Sequence, residues 1–560
     1  MKEFDRLWAT THRDLPFPGA MQDRHGKIHF AVYAPGKDSV HLIGDFNDFD
    51  RQADPLEQVS DQGLWTVSKQ LPEGDHAYQY VIDGDLVICD PYARRVDHPS
   101  DGGVARAIAE VGATPYEWHH DGEDRPGRED LIVYEINLPD FTPGGGFRDA
   151  VDKLDYLAEL GVNCIELMPV FGVEEHDKWG YTPTLLFAPN QEYGRPEELK
   201  WLVDESHRRG ISVVLDIVLT HTGREHPFNR MYDYDDSPWY GQGPVQEDNE
   251  YGLPQLDYCK PAARCFAGDV IEYWMEEYHV DGFRFDYLKN VGISEDGHGI
   301  PTLVEEARRV RANVLLIGEH LPEAPEMMID TDLDACWHAR FSHAMKALLT
   351  ESEVMGYDWG DFEHCVNVLD AEQEGYGDRP GFMLNYTESH DEQPTVLEAT
   401  KAGFDEKIAR RKSALGATVL LTAVGKPMLH AGQELGDDQA IDMNDTPVPW
   451  DRLDRPGGAG LHDHYQRMCR FRHDHPGLQS ENLQIDRINA DSKTLVYHRW
   501  NDDGDEIVVA VNFLGRSQTV QVPFPRDGTW RELFTAQDIE VTDGTAEVEI
   551  DHYAARIFTQ

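Results

Sequence analysis

From Leu131 onward the chain alternates short apolar stretches with segments of helical periodicity. The stretches are Leu131 to Ile136, Cys164 to Met168, Ser212 to Val218, Gly282 to Asp286, Val314 to Ile317, Phe382 to Asn385 and Pro427 to His430. Runs this short and apolar on both faces predict buried parallel strands. Between them, Phe147 to Leu160, Pro196 to Arg209, Arg264 to Tyr278 and Thr302 to Ala312 predict helices. Seven such repeats predict an α/β fold and fit a (β/α)8 TIM barrel over 125–475 better than an open doubly wound sheet. The eighth strand is placed around Ala335 to Phe341.

The rhythm differs at both ends. Residues from about 25 to 110 alternate polar and apolar positions between Gly, Asp and Asn turns, as in His29-Phe-Ala-Val-Tyr33 and His76-Ala-Tyr-Gln-Tyr-Val81. That period of two predicts an amino-terminal β-sandwich over 1–115. Tyr116 to Asp130, rich in Gly, Pro and charge, reads as a linker. Strand patterns return at Lys493 to His498 and Glu506 to Phe513, predicting a carboxy-terminal all-β domain, a β-sandwich, over 476–560. Two segments interrupt the barrel rhythm, Trp179 to about Gly210 and an inserted loop region about 222–261. Interruptions of that length inside a domain are usually functional.

Composition narrows the partners. Asp and Glu total 104 against 50 Lys and Arg, a formal charge of -54 over 560 residues. A field of that sign repels nucleic acid and anionic membrane surfaces, so neither is expected as a partner. Self-repulsion of this size is relieved by counterions, which points to a halophilic protein of a salt-rich cytoplasm. The opening Met1-Lys-Glu-Phe-Asp-Arg-Leu-Trp8 lacks the apolar core of a leader peptide, and no stretch approaches a membrane span. A cytoplasmic location is expected. The seven cysteines are scattered without metal-ligand spacing or a disulfide framework, and Cys164 and Cys365 read as buried thiols.

Candidate chemistry lies at the strand ends. Asp286, Glu319 and Asp391 each stand where a predicted strand gives way to loop. If parallel strands gather in a barrel, their carboxyl ends converge and acids distant in sequence meet in one pocket. Cleaving a glycosidic bond with retention requires a carboxylate nucleophile and a protonated carboxylic acid about 5 Å away, with their pKa values held apart. Arg284, two residues before Asp286, falls on the same side of the strand and is expected to keep Asp286 ionised. Glu319 follows four apolar residues and a Gly with no neighbouring cation except His320, so burial is expected to raise its pKa. Asp391, beside His390, is suited to steady charge on a sugar ring. Asp216 and His221 flank the end of another strand, where they suit hydrogen bonds to sugar hydroxyls, and Trp179 and Tyr181 offer aromatic faces for a pyranose.

These segments, in this order, resemble the α-amylase family of glycoside hydrolases, family thirteen, over most of the chain. The motifs are Asp216 to His221, Gly282 to Asp286, the strand-end Glu of Ile317-Gly-Glu319, and His390-Asp391. Gly161 to Pro169, Trp179 to Pro183, Tyr193 to Lys200 and Leu253 to Asp257 also look like family segments. The resemblance implies a retaining mechanism with Asp286 as nucleophile, Glu319 as general acid/base and Asp391 as transition-state stabiliser. Tyr181, Asp216, His221, Arg284 and His390 would line the subsite of the attacked sugar. The front domain looks like the glycogen-binding-type module of branching, debranching and trehalose-releasing members.

Two positions depart from the family pattern. Thr220 replaces an Asn that helps hold calcium in many amylases, which argues against a calcium site of that type, and no other cofactor is expected. Lys289 matches the Asp-x-x-Lys-His pattern, whereas Asn290 replaces its His. The expected activity is hydrolysis of α-1,4-linked glucans. A branching enzyme, another glucanotransferase or a trehalose-releasing hydrolase would share the chemistry. A non-catalytic glucan-binding protein would be expected to have lost a catalytic acid, and none is missing.

Overall fold

The computed structural model describes residues 19–59, 63–99, 102–120, 125–175, 177–377, 379–442 and 446–560. The opening segment read above for a leader lies outside them. Eight parallel strands close into a barrel: β1 (Val133–Ile136), β2 (Cys164–Leu167), β3 (Ser212–Ile217), β4 (Gly282–Phe285), β5 (Leu315–Gly318), β6 (Ala335–His338), β7 (Met383–Tyr386) and β8 (Lys426–His430). β8 pairs back onto β1, with Val133 opposite Met428 and Glu135 opposite His430. Every residue of β1 to β7 is buried, which is why these strands read as continuous apolar runs.

The strand sought around 335–341 ends at His338, and Phe341 belongs to the helix Ala339–Thr350 that follows. The helix expected over 147–160 is broken into Phe147–Val151 and Leu154–Leu160. At the break the Lys153 N–H bonds the carbonyl of Ala150, three residues back, and tightens the turn. The helix Pro196–His207 starts where expected, with Pro196 in its first turn and Glu198 accepting the Arg195 N–H at 3.0 Å. The interruption from Trp179 is therefore shorter than the sequence suggests. Much of it is the strand Pro183–Pro189, paired with Phe171–Val173, and then a regular barrel helix.

Ahead of the barrel, a four-stranded and a five-stranded antiparallel sheet form the amino-terminal β-sandwich. It packs on the inserted region through Tyr33 edge-on to Trp239 at 5.7 Å, and Trp239 in turn stacks on Phe228 at 3.7 Å. Tyr232 donates its hydroxyl to the Pro35 carbonyl at 2.7 Å, and Tyr92 stacks on Phe187 at 4.6 Å. The segment read as a linker is not free-standing. Trp118 stacks on His279 at 4.0 Å, and the N–H groups of His119 and His120 donate to Asp204 at 3.1 and 2.8 Å. Its residues 121–124 lie outside the described set. The carboxy-terminal β-domain is a six-stranded sheet faced by a two-stranded one. Buried Arg499 ties it to the barrel by donating to the carbonyls of Thr422 and Ala423 at 2.9 and 2.6 Å.

Candidate active site

The barrel places Asp286 directly after β4, Glu319 directly after β5, and His390 and Asp391 in the turn beyond β7. All lie at one mouth, because parallel strands end on the same rim. Gly282 lets β4 approach β5 so closely that a Cβ there would collide with the Leu315 carbonyl. Cross-strand register then sets Asp216 of β3 beside Arg284 of β4.

Arg284 is the hub. Its Nη1 donates to Asp216 at 2.9 Å and to Asp286 at 2.7 Å, while Nη2 stands 3.2 Å from Glu319. The guanidinium is fully buried and lies 4.6 Å from the centre of the Trp337 ring on β6. Glu319 thus has a cation beside it, contrary to the reading from its immediate neighbours. Its carboxylate also accepts the Tyr287 N–H at 2.8 Å, offered by a left-handed turn at Tyr287, φ 51°. Thr220 braces that turn, donating its hydroxyl to the carbonyls of Asp286 and Tyr287 at 2.7 and 3.2 Å.

On the other side of Arg284, Tyr181 donates to Asp216 at 2.5 Å and stacks on His390 at 5.2 Å. His390 Nε2 stands 3.0 Å from the Tyr181 hydroxyl and 3.3 Å from Asp391, and its Nδ1 is 2.6 Å from Glu135 of β1. His221 reaches the Tyr181 carbonyl through Nε2 at 2.8 Å, and its buried Nδ1 has no protein partner. Trp179 meets His390 edge-on at 5.6 Å. Asp177 fixes this aromatic loop by accepting the N–H groups of Trp179 and Gly180 at 3.1 and 2.8 Å. Asp391 is the open member, with 46% of its side chain exposed. Lys289, half-buried on the short helix Leu288–Val291, forms no ion pair with the described acids. Asn290 is buried and donates to the Gln255 side chain at 2.9 Å, anchoring the inserted loop.

Burial governs the protonation states. It pushes Asp286 up to about 6, against the pull of Arg284 and with help from Asp216. Arg284 therefore pairs with Asp286 as expected but does not bring its pKa below the usual carboxylate range. Burial pushes Glu319 higher, to about 7, with Arg284 opposing and Asp286 adding. Burial would lower His390, but Asp391 and Glu135 outweigh it and hold the imidazole up to about 10, so it is a cation. Burial lowers His221 to about 4, so it is neutral. Near neutral pH the pocket thus holds a mostly ionised Asp286 beside a Glu319 that keeps its proton about half the time, two carboxyl groups whose pKa values are held apart at one mouth.

Three supporting acids and bases escaped the sequence reading. Glu135 and Glu166 face each other across β1 and β2, and His430 of β8 holds Glu135 at 2.9 Å. Glu166 has both carboxylate oxygens buried without a hydrogen-bond donor among the described residues, and burial, with the charge of Glu135 adding to it, raises its pKa well above the ordinary carboxylate value. The available signal was an acid in the middle of an apolar strand, Val-Tyr-Glu-Ile and Cys-Ile-Glu-Leu. Among the described residues no group of three or more His, Cys, Asp or Glu is arranged to hold a metal ion.

Comparison with known proteins bears on the same segments. The family model described as alpha amylase, catalytic domain, matches residues 120–251 and 227–470. Carbohydrate-binding module 48, the isoamylase N-terminal domain, matches 18–93, and the alpha amylase C-terminal all-beta domain matches 485–558. A malto-oligosyltrehalose trehalohydrolase of Saccharolobus solfataricus is 26% identical over 68% of this chain and 69% of its own. A 1,4-alpha-glucan branching enzyme of Mycobacterium bovis is 25% identical over 90% of this chain and 74% of its own. In fold, the chain is similar to a pullulanase complexed with maltotetraose from an Anoxybacillus species: TM-score 0.80, 21% identity, 100% of this chain and 89% of that one.

Proposed function

The chain belongs to the α-amylase family of glycosidases and transglycosylases, and from that membership we propose that it is a retaining hydrolase of α-1,4-glucosidic bonds in starch- or glycogen-type glucans. The observation that carries the reading is one buried guanidinium bound at once to Asp216, Asp286 and Glu319 at the carboxyl mouth of the barrel. Asp286 attacks the anomeric carbon of the bound sugar. Glu319 gives its proton to the departing glycosidic oxygen, and a covalent glycosyl-enzyme forms. Glu319, now ionised, takes a proton from the incoming water, which releases the sugar with its configuration retained. Asp391 faces the charge that develops on the ring. His221, His390 and Tyr181 face its hydroxyls, with Trp179 as an apolar wall. Asp216, fully buried and already bound to Arg284 and Tyr181, positions those two side chains instead of touching the sugar, contrary to the expectation from sequence. The amino-terminal module serves as a packing partner of the inserted region.

The pH dependence follows from the two acids. Below about 6 Asp286 takes up a proton and loses its nucleophilicity; above about 7 Glu319 loses the proton it must donate. A narrow bell in kcat/KM is expected, centred between those values. Rates at several pH values check it, and undiminished activity at about pH 9 would contradict the acid role of Glu319.

The chemistry also admits a sugar hydroxyl in place of water. Incubation with amylose and maltooligosaccharides in molar KCl separates the outcomes. New reducing ends support hydrolysis; new α-1,6 branches without them indicate a branching enzyme. Release of trehalose from malto-oligosyltrehalose, supplied in a parallel incubation, together with no new reducing ends from amylose, identifies a trehalose-releasing hydrolase. Binding of starch without turnover would leave a non-catalytic glucan-binding protein.

A further inference from the structure

Glu135 is a fully buried carboxylate on β1, and three nitrogens converge on its side chain. Its Oε1 meets Nδ1 of the His390 ring at 2.6 Å, while Oε2 accepts the His390 backbone N–H at 2.9 Å and faces His430 Nδ1 at 2.9 Å. One side chain thus grips both the ring and the backbone of His390. The grip spans the seam where the barrel closes, since the turn after β7 reaches across β8 to β1.

Hydrogen-bond direction fixes the state of the His390 ring. The Tyr181 hydroxyl gives its one proton to Asp216 at 2.5 Å, so toward His390 it can only accept, and Nε2 is the donor at 3.0 Å. Nδ1 faces a carboxylate and donates as well. A ring that donates from both nitrogens is an imidazolium. Burial would raise Glu135, but His390 and His430 outweigh it and hold the group below the ordinary carboxylate range, so the acceptor is ionised. Arg284, Asp216, Tyr181, His390 and Glu135 therefore form one chain of bonds that ties the nucleophile's strand to the opposite side of the mouth.

The same grip extends to Asp391. With the His390 N–H bound to Glu135, the next N–H, that of Asp391, goes to Ser389 Oγ at 3.2 Å, and the Glu392 N–H closes the turn on the Ser389 carbonyl at 3.1 Å. We infer that Glu135, buried beneath the mouth, is a positioning residue: it holds His390 as a doubly donating ring between Tyr181 and Asp391 and pins the turn that presents Asp391. Glu135 has this role in the reaction only if the glucan reading above holds, whereas its hold on His390 is independent of substrate.

Glu135→Gln keeps the reach and removes the charge. The amide oxygen can still accept the His390 N–H, but the amide nitrogen can donate only to a neutral Nδ1. The charged groups around the ring are Asp391 on its own turn, Glu135 on β1, Glu166 on β2, Asp216 on β3, and Arg284 and Asp286 at the end of β4, with His430 behind Glu135. Only one of them changes in this variant. The imidazole 15N titration of His390, assigned by its loss in His390→Asn, is expected to move down by about 1 to 3 pH units. The same variant should lower kcat on maltopentaose by about 10- to 100-fold. Added to His390→Asn, it should remove no further activity, because Glu135 acts through that ring. The wild-type protein tests the geometry by itself, since both ring nitrogens of His390 should stay protonated at pH 8. A neutral wild-type His390 at that pH, an unchanged titration in Glu135→Gln, or losses that add in the double variant would each overturn the assignment. Absence of wild-type turnover of maltopentaose would overturn the glucan reading, and the titrations would still decide whether Glu135 holds His390.

Discussion

Asp286→Asn is expected to lower kcat on maltooligosaccharides on the order of 10⁴-fold or more, while the protein melts at or above the wild-type temperature. The two halves of this result have one cause. Asp286 is buried against Arg284 and Asp216, and burial raises its pKa to about 6. A carboxylate whose folded pKa lies above its unfolded value is destabilising when ionised. The cost is absent below the unfolded pKa and grows as pH rises through about 6. At pH 8 the native enzyme therefore holds an unfavourable charge, the one that the proposed mechanism uses for attack. Asparagine has the same shape, keeps an acceptor for Arg284 at the 2.7 Å contact, and removes the charge. It cannot form the glycosyl ester. Steady-state kinetics together with thermal melts at pH 8 check both halves. Residual activity within about tenfold of wild type would show that the nucleophile lies elsewhere.

The legibility of this site follows from what a linear pattern can encode. Buried parallel strands are apolar on both faces, so seven of the eight show as short hydrophobic runs. β6, Ala-Cys-Trp-His, is too short and mixed to stand out, and the strand sought there overruns its end by three residues. The polar residue that ends a run sits on the rim by construction. The period of two puts Arg284 and Asp286 on one side of β4, and their contact is found as expected. Three things were not legible. Register between strands is set by closure of the barrel, so nothing in the sequence places Asp216 opposite Arg284 or Glu135 opposite Glu166 and His430. The reach of one guanidinium to a third acid, Glu319, depends on strand spacing that no motif spells out. The balance of burial against ion pairing, which carried Asp286 up instead of down, is a property of the assembled pocket. The role of Asn290 shows the same limit. As a departure from the family pattern it read only as a lost histidine, yet in the fold it holds Gln255, which in turn donates to the Glu247 carbonyl of the inserted loop.

Arg284→Leu is expected to destabilise the fold by about 3 to 5 kcal/mol at pH 8 and to abolish activity. The leucine fills much of the volume, so the loss is electrostatic. It leaves Asp216 and Asp286 as buried carboxylates without their shared cation, and Glu319 loses the nearest positive charge. Each of these acids already has a folded pKa above its ordinary value with Arg284 present, and without it each rises further. By linkage the deficit is smallest in acid, where all three are protonated in both states, and grows as pH rises through the raised folded pKa values. The gap in unfolding free energy between wild type and Arg284→Leu should therefore narrow between pH 8 and about pH 5, a trend that a simple packing defect would not produce. Arg284→Lys separates fold from chemistry. A single ammonium restores the charge and much of the stability, but it has one nitrogen and cannot place Asp216, Asp286 and Glu319 together as two guanidinium nitrogens do. That variant should fold near wild-type stability and remain at least about a hundredfold slower, as expected when oriented groups are displaced. Denaturant melts across pH with kcat/KM on maltopentaose measure both effects. A pH-independent stability gap for Arg284→Leu, or a fully active lysine variant, would remove Arg284 from the centre of the site.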